Sequence, residues 1–232
     1  MTNPYGLIFD VDGVIADSER VNAEATIKVF SDMFTTPNVH RKDFEAGLGR
    51  GAEAYIKSAA VIHGLDLTDQ QVCAASKARH VNFLNLLSQN ILPPFPGVIE
   101  LINAALAHKN FRVAIATSSA REKSEAVLNS AQIPYKTMVY ITGDDVKSKK
   151  PNPELFLHAA QGIEIPPQNC VVIEDTPNGI QAAKSAGCKC IAVTNSTTAD
   201  KLSQADRIVS TLTNVTLADL IAMVSSSGVI SR

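Results

Sequence analysis

Residues 7–19 read LIFDVDGVIADSE, a stretch in which an apolar strand runs straight into two carboxylates. Residues 7–9 form a continuous apolar run, Asp10 and Asp12 follow at once, and Gly13 comes directly after them. Side chains alternate along a strand, so Asp10 and Asp12 point to the same side. Two neighbouring carboxylates repel each other and are costly to remove from water. The stretch therefore raises the question of what offsets that repulsion.

Short apolar, β-branched runs recur along the rest of the chain, with helical patterns between them. The predicted strands are Gly6–Phe9, Phe111–Ala116, Met138–Thr142, Asn169–Ile173, Lys189–Val193 and Arg207–Val209. Helices are predicted where apolar residues recur with a spacing near 3.6, over residues 97–109, 121–131, 153–161 and 177–186. Continuous apolar strands that alternate with helices are typical of a parallel sheet covered on both faces. The pattern predicts an α/β fold with a Rossmann-like parallel sheet.

The stretch from about residue 16 to residue 92 breaks this alternation, because it contains helical patterns only. The segment LPPFPG at 92–97 then supplies three prolines and a glycine, where a helix cannot continue. We therefore predict an α-helical cap domain of roughly 75 residues, a normal size for a small domain. It would cover residues 16–92 and be inserted after the first strand of an α/β core formed by residues 1–15 and 93–232.

Composition and charge exclude several classes of protein. Of 232 residues, 45% are hydrophobic and 19% charged, as in an ordinary globular protein with a sizeable core. The formal net charge of -2 gives no electrostatic attraction to nucleic acid or to an anionic membrane surface. No apolar run approaches the ~20 residues that cross a bilayer, and the initial MTNPYG has no secretion signal. The four cysteines lack zinc-site spacing and are predicted to be reduced core thiols. We expect a cytoplasmic monomer without nucleic-acid or membrane partners.

Polar side chains follow several of the predicted strands, at the point where each strand ends. They are Asp10 and Asp12 after the first strand, Thr117, Ser118 and Ser119 after the second, and Glu174 and Asp175 after the fourth. The carboxyl ends of parallel strands share one edge of the sheet, where ligands bind. The four carboxylates would form an oxygen-rich site for Mg²⁺, a cation that binds carboxylates together with substrate phosphate. A bound cation would remove the repulsion between Asp10 and Asp12.

The same edge carries the groups that phosphoryl transfer requires, namely positive charge and hydrogen-bond donors around the phosphoryl oxygens. The hydroxyls at residues 117–119 and a lysine from residues 147–150 could supply them. A carboxylate can act as the nucleophile and form an aspartyl phosphate. A second carboxylate two residues on can protonate the leaving oxygen and later activate water. Gly13 lets the backbone turn sharply beside the phosphate.

The chain resembles the haloacid dehalogenase superfamily, in particular its β-phosphoglucomutase-like phosphatases. The signature D-x-D-G-[VT] appears as DVDGV at 10–14, and the strand-end Ser/Thr of the second motif appears as Thr117. The lysine of the K-P-x-P motif appears as Lys150, and the acidic fourth motif appears as Glu174-Asp175. The four motifs occur in the family's order within a resemblance that spans about residues 5–195, with the helical cap at the expected insertion point.

The resemblance implies a role for each of these residues. Asp10 would be the nucleophile and Asp12 the general acid/base, while Thr117 and Lys150 would hold the transferring phosphoryl group. Substrate binding would involve Gly13, Ser118 and Ser119. Mg²⁺ would be held by Asp10, by the Asp12 carbonyl oxygen and by Asp175, with Glu174 close by. In relatives with this cap a G-x-x-R loop reaches the substrate, so Arg50 of GLGR at 47–50 is the expected cap contact.

Each motif taken alone has a simpler interpretation. A DxDG motif that occurs alone is more often a surface turn, and Lys150 could simply be solvated. The hydroxyls of Thr117–Ser119 could serve merely as an N-cap for the helix that starts near residue 121. Glu174-Asp175 could likewise cap the helix that follows it. An EF-hand loop is excluded for DVDGVIADSE, because its glycine comes at the fourth position rather than the sixth.

Three functions are consistent with the full set of motifs. The first is a Mg²⁺-dependent phosphatase that acts on a small phosphorylated metabolite, a sugar phosphate, through an aspartyl phosphate. The alternative is a β-phosphoglucomutase, although such mutases usually carry a histidine in the first cap helix where this chain has Asn22. The third is a non-catalytic binding protein, which the presence of both Asp10 and Asp12 disfavours. The sequence favours the phosphatase.

Overall fold

The computed structural model describes residues 4–47 and 51–225. Its chain divides into two compact units, Met1–Asp17 with Leu92–Arg232 and Ser18–Ile91. Whether the chain forms separate domains at residues 1–15 with 93–232 and at 16–92 stays a prediction.

The first unit contains a six-stranded sheet. Its strands are β1 (Tyr5–Phe9), β2 (Phe111–Ala116), β3 (Val139–Ile141), β4 (Cys170–Glu174), β5 (Lys189–Val193) and β6 (Arg207–Val209). They lie in the order β3-β2-β1-β4-β5-β6, and every neighbouring pair is parallel. β1 therefore lies in the middle of the sheet, with Ile8 opposite Ala114 of β2 and Val172 of β4. The predicted α/β fold with a parallel sheet is confirmed.

Eight α-helices are assigned within the described residues. They are α1 (Ser18–Phe34), α2 (Ala52–Ile62), α3 (Asp69–Gln89), α4 (Val98–Ala107), α5 (Arg121–Ser130), α6 (Glu154–Gly162), α7 (Pro177–Ser185) and α8 (Leu217–Ser225). Helix α8 was not predicted from the sequence, because its apolar segment is short and lies beyond the last predicted strand. Its start signal is Thr216, whose hydroxyl accepts from the Asp219 N–H while Asp219 accepts from the Thr216 N–H at 2.8 Å. This reciprocal pair is a capping box.

The central strands β1 and β4 are buried over most of their length, because apolar side chains lie on both of their faces. Leu7, Ile8 and Phe9 of β1 are fully buried, and Val172 and Ile173 of β4 are too. A strand in the middle of a parallel sheet, with helices on both faces, has no solvent-facing side. The continuous apolar runs in the sequence follow from this environment.

The cysteines do not all fit the prediction of core thiols. Cys170, Cys188 and Cys190 are buried and free, whereas Cys73 is free but exposed on α3. Position 73 is the fifth residue of a helix that buries only one stripe of its surface, and it lies outside that stripe.

The second unit contains α1, α2, α3 and a 3₁₀ helix at Arg41–Gly47 around an aromatic core, with no strand among its described residues. Phe44 stacks on Tyr55 with ring centroids 4.6 Å apart, and Phe30 contacts Phe44 at 6.3 Å. Helix α3 begins at a capping box, in which the Thr68 side chain accepts from the Gln71 N–H and the Gln71 side chain accepts from the Thr68 N–H. Across residues 4–47 and 51–225, none of the helices combines the length and apolar character that a membrane crossing requires.

Two glycines of the first unit allow a matched test of backbone packing. Gly97 and Gly187 both have left-handed backbones, with φ of +88° and +85°. A Cβ on Gly97 would lie 2.3 Å from the Leu212 carbonyl carbon, whereas a Cβ on Gly187 would meet nothing closer than 3.9 Å. Both substitutions share the left-handed strain of roughly 1–2 kcal/mol, but only Gly97→Ala adds an overpacking cost.

We expect Gly97→Ala to lower the free energy of unfolding by a further ~1–3 kcal/mol relative to Gly187→Ala. For a chain of this length, that difference corresponds to a melting temperature lower by roughly 2–12 °C. Thermal denaturation followed by circular dichroism measures both variants. Equal melting temperatures for the two variants would contradict the close packing of Gly97 against residues 212–213.

Candidate active site

The three central strands of the sheet end side by side, and polar residues follow each of them. β1 leads into Asp10, β2 into Thr117, and β4 ends at Glu174 before Asp175. The Asp10 N–H donates to the Ile173 carbonyl at 3.1 Å, which continues the β1–β4 ladder to the end of β1. Because the strands are parallel, these residues meet at one edge of the sheet.

Three carboxylates are brought together at this edge. Asp10, Glu174 and Asp175 each offer an oxygen, and these oxygens lie within 4.8 Å of one another. All three side chains are buried. The fourth predicted carboxylate, Asp12, is not part of this group, and its side chain is 30% exposed. The strand-end pattern predicted that the Asp12 carboxylate joins the other three, but it lies outside their cluster and contacts Ser119 and Lys123 instead. The role of the Asp12 carbonyl oxygen, which the resemblance implied, stays a prediction.

Lys150 is the cation beside this cluster. Its ammonium donates to Asp10 Oδ1 at 2.6 Å and to Glu174 Oε1 at 2.5 Å. The lysine is only 9% exposed, so both ion pairs are shielded from water. Of the three lysines at residues 147–150, the one before Pro151 therefore reaches the carboxylates, and it is not merely solvated.

The carboxylates of this cluster differ in how readily they ionise. Burial raises the pKa of Asp10 to about 7, although Lys150 acts in the opposite direction. Burial also raises the pKa of Asp175, and the charges of Glu174 and Asp10 add to the effect. For Glu174, burial is outweighed by Lys150 and by backbone hydrogen bonds, so its pKa is lowered. Asp10 and Asp175 therefore gain most from additional positive charge.

The start of α7 is built around the Glu174 carboxylate. Glu174 Oε2 accepts from the Asp175 N–H at 2.8 Å, and from the Thr176 N–H and hydroxyl at 2.9 Å each. A Cβ on Gly179 would lie 1.8 Å from Glu174 Oε1, so only glycine fits there. The residue that caps α7 is Thr176, whose hydroxyl accepts from the Gly179 N–H at 3.1 Å. Helix capping by Glu174-Asp175 is therefore not supported.

Among the described residues, one oxygen of Asp175 has a hydrogen-bond partner and the other has none. Its Oδ2 accepts from the Ser196 hydroxyl. Its Oδ1 is buried and lacks a hydrogen-bond partner within residues 4–47 and 51–225. Gly13, with φ of +76°, lies against Asp175, because a Cβ there would be 1.9 Å from Oδ2. Buried polar atoms normally have partners, so this oxygen is available to a bound ligand.

The loop after β5 contributes two residues that sequence analysis missed. Asn195 Nδ2 donates to the Gly13 carbonyl at 2.8 Å, and Ser196 contacts Asp175 as described. Both follow β5, which pairs with β4 in the parallel sheet. The rule that polar residues after parallel strands gather at one edge could have identified them.

The cluster fits a divalent metal ion. Its three carboxylates supply oxygen ligands within a small volume, and Asp175 Oδ1 has no other described partner. Oxygen donors of this type suit hard cations such as Mg²⁺ and Ca²⁺.

Asp12 lies on the side of the site that faces β2 and α5. Ser119 Oγ donates to Asp12 Oδ2 at 2.5 Å, and Lys123 Nζ lies 3.2 Å from Asp12 Oδ1. Lys123 is in the first turn of α5 and was not predicted from the sequence. Its position there, one helical turn after Ser119, is the signal that could have suggested it.

Thr117 and Ser118 follow β2 directly. Thr117 is buried, and its hydroxyl accepts from the Ser119 N–H at 3.1 Å. Ser118 Oγ is buried with no hydrogen-bond partner in the described part of the chain. The N-cap residue of α5 is Ala120, and Asp144 accepts from the Arg121 N–H at 2.8 Å. Helix capping therefore does not account for the hydroxyls at 117–119.

Arg50 was the predicted cap contact, and Asn22 stands where related mutases usually carry a histidine. Arg50 lies outside the described residues, so its substrate contact stays a prediction. Asn22 lies on α1, where its Oδ1 accepts from Arg79 Nη1 at 3.0 Å and its Nδ2 donates to Glu19 Oε2 at 3.4 Å. The side chain of Asn22 thus bridges an acidic and a basic group within the second unit.

Known proteins resemble this chain over most of its length. The family model described as haloacid dehalogenase-like hydrolase matches residues 7–193. The chain is 31% identical to Protein CbbY of Rhodobacter capsulatus over 206 residues, which cover 86% of this chain and 90% of that protein. It is 30% identical to validoxylamine A 7'-phosphate phosphatase of Streptomyces hygroscopicus subsp. limoneus, across 90% of this chain and 94% of that protein.

Two further comparisons cover different shares of the matched proteins. A crystal structure of CbbY (mutant D10N) from Rhodobacter sphaeroides in complex with xylulose-(1,5)bisphosphate has a TM-score of 0.79 and 26% identity, and the match covers 94% of this chain and 99% of that one. A 32% identical match to Protein SUPPRESSOR OF QUENCHING 1, chloroplastic of Arabidopsis thaliana covers 81% of this chain but only 17% of that longer protein.

The strand-end carboxylates, the buried lysine and these relatives agree on one family. The chain belongs to the haloacid dehalogenase-like hydrolases, and within them it is a phosphoric monoester hydrolase or phosphomutase.

Proposed function

We propose that this enzyme is a Mg²⁺-dependent phosphatase that hydrolyses a small phosphorylated metabolite, a sugar phosphate, through an aspartyl phosphate on Asp10. The observation that carries the proposal is the pairing of Asp10 with Lys150 beside Glu174 and Asp175. Asp10 would be the nucleophile, and Lys150 supplies a positive charge beside it in a site that is shielded from water. Phosphoryl transfer requires such a charge to stabilise the negative charge of the transferring group.

In the first half of the proposed reaction, an Asp10 oxygen attacks phosphorus and the bond from phosphorus to the ester oxygen breaks. Asp12 donates a proton to the departing oxygen, so the alcohol leaves as a neutral molecule. Lys150 holds one Asp10 oxygen at 2.6 Å, which orients the carboxylate and offsets negative charge on the transferring group. The Thr117 and Ser118 hydroxyls are the proposed donors to the phosphoryl oxygens.

In the second half, Asp12 accepts a proton from water, and the water oxygen attacks the phosphorus of the aspartyl phosphate. The bond between phosphorus and the Asp10 oxygen breaks, which releases inorganic phosphate, regenerates the Asp10 carboxylate and leaves Asp12 protonated for the next turnover. Asp12 is suited to this exchange because its side chain is partly exposed, unlike that of Asp10.

Asp10, the Asp12 carbonyl oxygen and Asp175 are the proposed ligands of Mg²⁺, with Glu174 close by. When bound, the ion would neutralise charge on the phosphoryl group and on the carboxylates. Asp175 Oδ1 has no hydrogen-bond partner among the described residues, and the pKa values of Asp10 and Asp175 are raised. Both observations support the binding of a cation by this cluster.

A sugar phosphate is the proposed substrate because the relatives point to that chemistry. One relative is a validoxylamine phosphate phosphatase, and a CbbY crystal structure contains xylulose bisphosphate. A panel of phosphorylated sugars, assayed for release of inorganic phosphate, tests this proposal. Activity confined to other classes of phosphate ester would reject the sugar.

Water rather than a second sugar is the proposed acceptor. Asn22 has no imidazole, and its amide is engaged by Arg79 and Glu19. It therefore offers no titratable group that could help Asp12 to favour a sugar hydroxyl over water.

The catalytic roles predict distinct losses for two substitutions. Asp10→Asn should abolish turnover, because an amide is a poor nucleophile. Asp12→Asn should lower kcat by roughly 10²–10⁴, the usual range for loss of a general acid/base. Phosphate release from the active sugar phosphate is the measurement, and Asp200→Asn, at an exposed position, is the matched control. Hydrolysis at the wild-type rate by the Asp10→Asn enzyme would contradict the mechanism.

Metal binding should be visible without any assay of activity. A ligand that binds only the folded state at about 100 times its dissociation constant stabilises that state by ~2.7 kcal/mol. Millimolar Mg²⁺ should therefore raise the melting temperature of EDTA-treated protein by roughly 5–11 °C. Asp175→Ala should remove most of this shift, whereas Asp200→Ala should retain it. A melting curve of metal-free wild type that Mg²⁺ leaves unchanged would count against the site.

The acceptor can be tested with β-glucose 1-phosphate and a catalytic amount of glucose 1,6-bisphosphate. We expect free phosphate to form without accumulation of glucose 6-phosphate, since Asn22 cannot supply an imidazole. Both products can be followed in one reaction by coupled detection. Rapid isomerisation with negligible release of phosphate would identify a mutase instead.

A further inference from the structure

A side-chain donor contacts each of the two oxygens of the Asp12 carboxylate. Ser119 Oγ donates to Oδ2 at 2.5 Å, and Lys123 Nζ donates to Oδ1 at 3.2 Å. Lys123 Nζ also lies 3.5 Å from Ser119 Oγ, so the three groups form a closed triangle. We propose that Lys123 is a positioning residue that holds Asp12 in the orientation needed for proton transfer, an inference that rests on the proposed function.

The geometry separates this lysine from Lys150. Lys150 contacts Asp10 and Glu174, whereas Lys123 contacts Asp12 and Ser119. Each of the two strand-end aspartates therefore has its own ammonium group. The two lysines, which are distant in the sequence, also help to offset the repulsion between the Asp10 and Asp12 carboxylates, because each places a positive charge beside one of them.

The contact between Lys123 and Asp12 is unlike a structural ion pair. Its side chains are 22% and 30% exposed, compared with 9% and 8% for Lys150 and Asp10. Ion pairs with this degree of solvent access contribute little to folding stability. We therefore expect this contact to affect catalysis rather than folding stability, because it fixes the plane of the proposed acid/base Asp12.

The physical reason is the geometry of proton transfer. A carboxylate that rotates freely spends little time aligned with the leaving oxygen, whereas one held at both oxygens stays close to one plane. Helix α5 provides the anchor, because Lys123 lies in its first turn and Ser119 precedes that turn. Lys123 acts through Asp12 and is not required to touch the reacting atoms.

The test compares Lys123→Met, Lys123→Arg and the matched exposed control Lys136→Met. The substrates are phenyl phosphate, whose leaving group needs protonation, and p-nitrophenyl phosphate, whose leaving group needs it much less. We expect Lys123→Met to lower kcat/KM about 10–100-fold for phenyl phosphate and less than about threefold for p-nitrophenyl phosphate. Lys123→Arg, which keeps the cation, should recover most of the loss, and Lys136→Met should show none.

A double-mutant cycle shows whether Lys123 acts through Asp12 or affects catalysis independently of it. In the Asp12→Asn background, Lys123→Met should cause no further loss of kcat/KM, because there is no carboxylate left to position. Melting temperatures of the lysine variants should match that of the wild type, which excludes a folding defect as the cause.

Several outcomes would overturn the inference. They are equal losses on both aryl phosphates, a loss that adds fully to that of Asp12→Asn, and failure of Lys123→Arg to restore activity. If the wild type hydrolyses phosphate esters and Asp10→Asn does not, these outcomes reject only the role of Lys123. A wild type that releases no phosphate from any substrate would reject the proposed function as well.

Discussion

Buried carboxylates repel one another unless positive charge accompanies them, and the Lys150 ammonium supplies that charge at the carboxyl ends of β1 and β4. It bridges Asp10 and Glu174 at 2.6 and 2.5 Å. Removal of one partner from such a buried pair leaves an uncompensated charge, which is strongly destabilising. The arrangement of the surrounding backbone follows from this cluster, because Gly179 leaves room for Glu174 and Gly13 leaves room for Asp175.

The two aspartates of the DVDG motif occupy different environments although they are two residues apart. Asp10 is buried, and its pKa is raised to about 7. Asp12 is partly exposed and bonded to a hydroxyl and an ammonium group. Pairs of carboxylates with different surroundings commonly divide catalytic work between them. The proposed roles match this difference. The nucleophile Asp10 is buried against Lys150, whereas the acid/base Asp12 is partly exposed and can exchange protons with water.

The sheet and most helices were predictable because each strand of a covered parallel sheet needs apolar residues on both faces. The predicted run at 111–116 coincides with β2, and Lys189–Val193 coincides with β5. Helix α8 was missed because short apolar segments do not distinguish helix from strand, and its capping signal at Thr216 was not used. The strand-end positions of Asp10, Thr117 and Glu174-Asp175 were also predictable, since parallel strands place their carboxyl ends at one edge.

The sequence by itself determined the fold class, the edge of the sheet that carries the polar residues, and the family. Only the tertiary structure decided which side chains contact each other. It pairs Lys150 with Asp10 and Lys123 with Asp12 across more than 100 positions of chain, and brings Ser196 to Asp175. Local patterns describe how one segment folds, whereas these contacts depend on how strands and loops far apart in the chain pack together. That is why the groups that balance the opening carboxylates could not be identified from LIFDVDGVIADSE alone.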